Sequence, residues 1–220
     1  MAIIPVENFG DWRTAARSLI DQNQRPESVN FQDADDQALL FEVPPPDLVP
    51  NASSRFAVPR GFLKLAERAA YHRDPQRWNL LYRALWRIVR EQPRLLEIPT
   101  DDDVWRLRLM EKQVRRDAHK MKAFVRFRRT AGQSPEAEQF AAWHRPDHRV
   151  LRLVAPFFAR RFRGMHWTIF TPDESVTWDR TSLTYGRGAS RDSVPTEDDR
   201  EDLWRASYRS IFNTARVKVA

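Results

Sequence analysis

The sequence contains no cysteine. That absence excludes disulfides, thiolate zinc sites, cysteine-held iron–sulfur clusters and cysteine nucleophiles, and it fits a reducing compartment. Glycine is scarce, at six residues in 220. Phosphate-cradling loops are built from glycine, and no Walker loop, G-x-G-x-x-G, G-x-S-x-G or kinase set occurs. No apolar run approaches the roughly 20 residues needed to span a bilayer. The N-terminus lacks the charged-then-apolar pattern of a secretory signal, so a cytoplasmic location is expected. Five histidines are present, but none has the H-E-x-x-H spacing; His144-x-x-Asp147-His148 comes nearest to grouping ligands. Neither a metal nor a cofactor is expected.

What the chain does have is aromatic mass and positive charge. Hydrophobic residues make up 41%, with 8 Trp and 13 Phe, enough to form a folded core and to leave rings over for a stacking surface. Net charge is +7, but it is unevenly spread. Residues 1–50 carry nine acidic and three basic side chains, net −6, which leaves +13 for residues 51–220. A split of this kind suggests two regions with different partners, the larger favouring polyanions.

Hydrophobic periodicity predicts an α+β fold. A short edge strand is expected at 2–6, with Pro5 keeping it from a sheet centre. A helix follows at 9–21, and further strands at 29–31 and 39–43. The Pro-rich segment 44–50 reads as a stiff linker, so residues 1–50 form a small acidic β/α subdomain and residues 51–220 a basic α+β domain. In the latter, helices are expected at 60–72, from the Asp74-Pro75 pair to Pro93, and from Thr100 or Asp101 to about Ala123. Residues 124–129 alternate as a half-buried strand does, with 139–144 as its hairpin partner. A helix over 147–162 contains Pro156, which predicts a kink or break. Strands at 165–171, 175–179 and 182–186, turns at Pro172-Asp173 and Asp179-Arg180, a loop and a final helix at 197–213 complete a mostly antiparallel sheet packed with helices.

The densest functional signal lies at 107–129. At about 100° per residue, Leu107, Met110, Val114, Ala118 and Met121 share a narrow arc, while Lys112, Arg115, Arg116 and His119 lie opposite. Lys120 adds to the basic run, and Arg126, Arg128 and Arg129 follow. Across 109–130 there are eight basic and two acidic residues, a density suited to a phosphate backbone, though an amphipathic helix with a solvated face has the same pattern. A second cluster, Arg160, Arg161 and Arg163, interleaves with Phe157, Phe158, Phe162, His166 and Trp167. Those rings either stack on bases or form core. Asp117 and His119 are the candidate catalytic groups for an enzyme reading, with Arg116 and Lys120 beside them, although two residues apart on a helix they point to different sides.

Three segments carry a resemblance: Val114–Arg128, Ala155–Pro172 running into Trp178-Asp179, and Tyr208–Lys218, supported by Asp74-Pro75 and Leu80–Trp86. They resemble a bacterial family of uncharacterised function described as probable DNA-metabolism proteins. The resemblance covers most of the chain from about residue 55. Members stand beside a putative DNA-repair radical-SAM protein or are fused, at the N-terminal side, to a uracil-DNA glycosylase-like domain. The resemblance therefore implies an accessory DNA-binding protein of bacterial DNA repair or modification, acting with such a partner. Other readings are an enzyme acting on damaged DNA and a protein-interaction adaptor for the radical-SAM partner, docked through the acidic N-terminal segment. The resemblance carries over no catalytic residue. Members commonly continue past the Ala215-Arg-Val-Lys218 segment with another basic stretch, which implies a further C-terminal contribution in longer relatives.

Overall fold

Asn8 starts the first helix as a side-chain cap, its Oδ1 accepting from the backbone N–H groups of Gly10 (2.7 Å) and Asp11 (3.1 Å). In the computed structural model, which describes residues 2–34, 56–130 and 138–193, this helix, α1 (Phe9–Asp21), joins strands β1 (Ala2–Val6) and β2 (Val29–Asp33). The strands pair in parallel, Ala2 with Val29 through Val6 with Asp33. Asn23, at φ 56°, takes the left-handed conformation that ends α1. Three helices follow: α2 (Arg60–Ala69), α3 (Arg77–Arg90) and α4 (Asp102–Phe124). Strands β3 (Arg128–Thr130), β4 (Gln139–Trp143), β5 (His166–Phe170), β6 (Glu174–Trp178) and β7 (Leu183–Arg187) form one sheet in that order, with α5 (Leu151–Arg161) between β4 and β5. Within this five-stranded sheet the β4–β5 pair is the parallel one, because α5 is the crossover between them. The fold is α+β, with a small N-terminal β/α element and a mostly antiparallel five-stranded sheet packed with helices.

The chain divides into two compact units, Met1–Val114 and Arg115–Ala220, and the division falls within α4. The first unit is centred on Trp12, Phe31, Trp78 and Tyr82, all buried. The Trp12 indole N–H donates to the Trp78 carbonyl (3.2 Å). A buried ion pair, Arg77 with Asp33, sits in this core. Arg77 also donates through Nε to the Ala70 carbonyl (2.8 Å), and Trp78 Nε1 donates to Asp33 Oδ1 (2.8 Å). The pair is thus fully hydrogen-bonded, the condition under which buried charge is tolerable. Asn79 stitches α3 to β2, accepting from the Phe31 N–H (2.7 Å) and donating to Asn30 Oδ1 (2.8 Å).

In the second unit, Trp167, Ile169 and Val176 turn to one face of the sheet, where Phe158 of α5 and Phe127 pack on the Trp167 ring. The last strands close tightly. A Cβ on Gly188 would lie 2.1 Å from the Pro172 carbonyl oxygen, so only glycine fits. The next residue, Ala189, donates its N–H to the Thr171 carbonyl (2.9 Å).

Several expectations need correction. Phe124 belongs to α4, and strand pairing starts only at Arg128. The helix continues because Val125 N–H still reaches the Met121 carbonyl (3.1 Å). The period-two pattern does survive in burial, with Val125 buried and Phe124 and Arg126 exposed. Asp74 accepts from the Gln76 N–H (2.8 Å), so it closes a turn, and α3 begins at Arg77. The α5 helix begins at Leu151 rather than 147, and Pro156 lies inside it on the exposed side without ending it. The expected strand at 39–43, the 44–50 linker, the helix at 197–213 and the segment 208–218 lie outside the described residues. Among the described residues, no helix is long and apolar enough to cross a membrane.

Candidate nucleic-acid interface

Helix α4 opens with a capped turn: Asp101 Oδ1 accepts from the N–H groups of Asp103 (3.0 Å) and Val104 (3.2 Å). That cap fixes the rotational setting of the helix together with its inner row. Leu107, Met110, Val114, Ala118 and Met121 are all buried. With that face in the core, Lys112, Arg115, Arg116, His119 and Lys120 are exposed. Lys112 lies on the part of the helix that belongs to the first unit, and the others lie in the second.

The basic residues differ in what already holds them. Lys120 makes an exposed ion pair with Asp147 (3.4 Å), a contact of small energy in water. Arg126 donates to the carbonyls of Ala123 (2.6 Å) and Val125 (3.1 Å), capping the end of α4. Arg129 pairs with Glu138 (3.0 Å). The Arg161 guanidinium lies 5.4 Å from the Phe162 ring centroid. Arg115, Arg116, His119, Arg128, Arg160 and Arg163 are all exposed, and none has an ion-pair partner among the described residues. Five unpaired guanidinium groups on one unit raise its positive potential, which a polyanion relieves.

The two candidate catalytic groups separate. Asp117 is buried, at 3% exposure, and its Oδ2 accepts from the His148 backbone N–H (2.8 Å). It thereby anchors the segment leading into α5. His119 faces solvent. Nearby, burial holds the His144 imidazole below its ordinary value, partly opposed by the Asp117 and Asp147 carboxylates. Among the described residues, no group of three or more His, Asp or Glu side chains is placed to hold a metal ion. The rings near the second arginine cluster form core: Phe158 and Trp167 are 1% exposed, and Phe127, Phe158 and Phe162 pack edge-on or stacked. Of the two readings open for Phe158, Phe162 and Trp167, packing is the one observed, because α5 lays its rings against the sheet.

The opposite face of the sheet holds a feature that spacing in the sequence does not reveal. A cavity of about 100 Å³ is lined by Thr130, Gln139, His166, Thr168, Thr177 and Asp179, with Ala141 and Phe170 at its apolar side, and the cross-strand row Phe140, Trp167 and Trp178 also contributes to its wall. These residues come from four strands and the turn after β6. The alternation at 139–141 and 166–170 was the available signal, but the pairing register that brings them together was not.

The family described as domain of unknown function DUF4130 matches residues 75–220, and the chain belongs to it. No curated protein and no solved structure matches the chain.

Proposed function

We propose that this DUF4130 chain is an accessory DNA-binding protein of bacterial DNA repair or modification. It works in the cytoplasm and holds DNA for a partner that carries the chemistry, a radical-SAM protein or a uracil-DNA glycosylase-like domain. The observation that supports this reading is the set of exposed cations on the second unit that have no carboxylate partner among the described residues: Arg115 and Arg116 on α4, Arg128 on β3, Arg160 in the last turn of α5 and Arg163 just after it. Their hydration and mutual repulsion are released when phosphates arrive, and each contact frees a condensed counterion. Phosphate contacts position a protein on DNA without specifying sequence, which suits an accessory role.

The test is a salt titration of binding to labelled duplex and single-stranded DNA by fluorescence anisotropy. The log–log slope of affinity against salt is expected to be roughly −0.9 per duplex phosphate contacted. The Arg115→Glu/Arg116→Glu variant is expected to flatten that slope by about two contacts. A flat salt response in the wild type, or no retention of DNA at low salt, would sink the reading.

A further inference from the structure

The β-sheet of the second unit has two unlike faces. One is covered by α5. The other carries, in neighbouring positions, Arg128 and Thr130 of β3, Gln139 and Ala141 of β4, His166, Thr168 and Phe170 of β5, and Thr177 of β6. The register makes this assignment: Arg128 stands opposite Ala141, Ala141 opposite Thr168, and Thr168 opposite Thr177. Gln139 stands beside His166. One end of the face is apolar, where Ala141 and Phe170 cluster with Ala189 and Trp143. The other end is the polar cavity.

The polar groups there are only partly used. Thr168 and Thr177 hydroxyls share one hydrogen bond (2.9 Å), leaving one of them a proton to donate. The Thr130 hydroxyl donates to the Gln139 backbone carbonyl (3.2 Å). Neither the Gln139 carboxamide nor the His166 imidazole has a hydrogen-bond partner among the described residues, and both side chains are half-buried. A carboxamide offers a donor and an acceptor, and a neutral imidazole offers one of each. Asp179, at the rim, is already satisfied by the Thr181 and Ser182 N–H groups (2.8 and 2.7 Å).

We propose that this face binds one unpaired nucleotide of a DNA strand, with the base edge against Gln139 and His166, its ring over Thr168 and Thr177, and its phosphate on Arg128. A base has a flat apolar ring and an edge of alternating donors and acceptors, which the half-apolar, half-polar lining complements. At about 100 Å³ the cavity is smaller than the roughly 150 Å³ one that encloses benzene, so the base lies across its mouth rather than inside it. Arg128 is the free arginine of the strand, since Arg129 is paired to Glu138 and Arg126 is bound to the helix end. It lies two strands from Thr168, roughly 10 Å across the sheet, a span that a nucleotide and an arginine side chain bridge. The inference rests on the DNA-binding reading and adds the strand state.

The experiment compares wild type, Gln139→Ala/His166→Ala and Arg128→Ala in full-length protein, with circular dichroism verifying the fold. The probes are a labelled thymidine 12-mer and a duplex of the same length. Wild type is expected to favour the single strand. The double variant is expected to lose roughly tenfold in single-strand affinity, the worth of one or two hydrogen bonds, while duplex affinity stays unchanged. Arg128→Ala is expected to weaken single-strand binding more than Arg129→Ala does. Should the double variant misfold, the single variants Gln139→Ala and His166→Ala decide, each read as the ratio of single-strand to duplex affinity. If wild type binds both DNAs and the variants leave the ratio unchanged, the nucleotide site is overturned, the DNA-binding reading stands, and the face is one that packs against protein. If wild type binds neither DNA, both readings are overturned.

Discussion

Arginine serves two opposite purposes in this chain, and both units use both. Arg129 and Arg152 of the second unit pair with Glu138 and Glu174, while Arg13, Arg25, Arg60 and Arg94 of the first are exposed without an ion pair among the described residues. In the core of the first unit and at the start of α4, three guanidinium groups are matched to carboxylates. Arg77 pairs with Asp33 in the core, Arg83 with Asp103 (2.5 Å), and Arg87 with both Asp101 (2.6 Å) and Asp103 (2.9 Å). In the second unit, Arg115, Arg116, Arg128, Arg160 and Arg163 have no such partner among the described residues. The residue type is the same; the supply of acid is not. Where Asp lies opposite, arginine is a structural fork that locks elements together. Where no Asp lies opposite, the same group is exposed charge, which costs little in water and is available to an outside anion.

This contrast breaks most visibly in the first unit. Asp33→Ala is expected to cost about 3–5 kcal/mol, because it leaves Arg77 buried without a counter-ion and Trp78 Nε1 without an acceptor. Urea unfolding measures it, and a loss below about 1 kcal/mol would mean that the pair is not buried as described. DNA affinity normalised to folded protein is expected to remain unaffected.

The mirror-image variant, Arg115→Glu/Arg116→Glu, is expected to leave unfolding free energy within about 0.5 kcal/mol. It should lower DNA affinity roughly a hundredfold at low salt. If stability falls instead, these arginines have a structural role that the comparison denies them.

A steric change in the second unit supplies a control without charge. Gly188→Ala places a methyl group against the Pro172 carbonyl and is expected to cost about 1–3 kcal/mol. A neutral result in thermal melts would show that the 171–189 closure adapts.

The smallest effect expected is a difference in pH response. Bonds to Arg87 hold the Asp101 carboxyl below its ordinary value; Asp103 is held down by Arg83 and Arg87 against the opposing effect of its burial. Their contribution is present above the ordinary carboxylate range and is lost as pH falls through the depressed values. Glu174 goes the other way: burial raises it, and Arg152 only partly opposes this. Its contribution is present below the ordinary value and is lost as pH rises through the raised one. Melts from pH 3 to 7 should therefore show Asp101→Asn/Asp103→Asn flattening the acid limb and Glu174→Gln flattening the limb above it. Parallel profiles for wild type and both variants would contradict the assignment.

Periodicity made the two faces of α4 legible, because burying Leu107, Met110, Val114, Ala118 and Met121 leaves only one side for the cations. The cap of α4, narrowed to Thr100 or Asp101, and the turns at Pro172-Asp173 and Asp179-Arg180 were legible for a similar reason: their chemistry is local. The start of β3 was not, since alternation of Val125 and Phe127 persists while the backbone is still finishing a helix. The buried Arg77 was not either. Its partner Asp33 is 44 residues away in sequence, and an arginine at a helix start looks like surface until that partner is known.

The sequence by itself determined which side of α4 is apolar, that turns fall at Pro172-Asp173 and Asp179-Arg180, and that the excess positive charge lies after residue 50. These follow from residue type and nearest neighbours. It also excluded thiol chemistry, since no cysteine is present. The tertiary structure alone decided which arginines keep their charge available and which are matched by acid, and which strand residues share the face that holds Gln139, His166 and Arg128. Both depend on pairing register and on contacts between residues far apart in the chain, which no local pattern encodes.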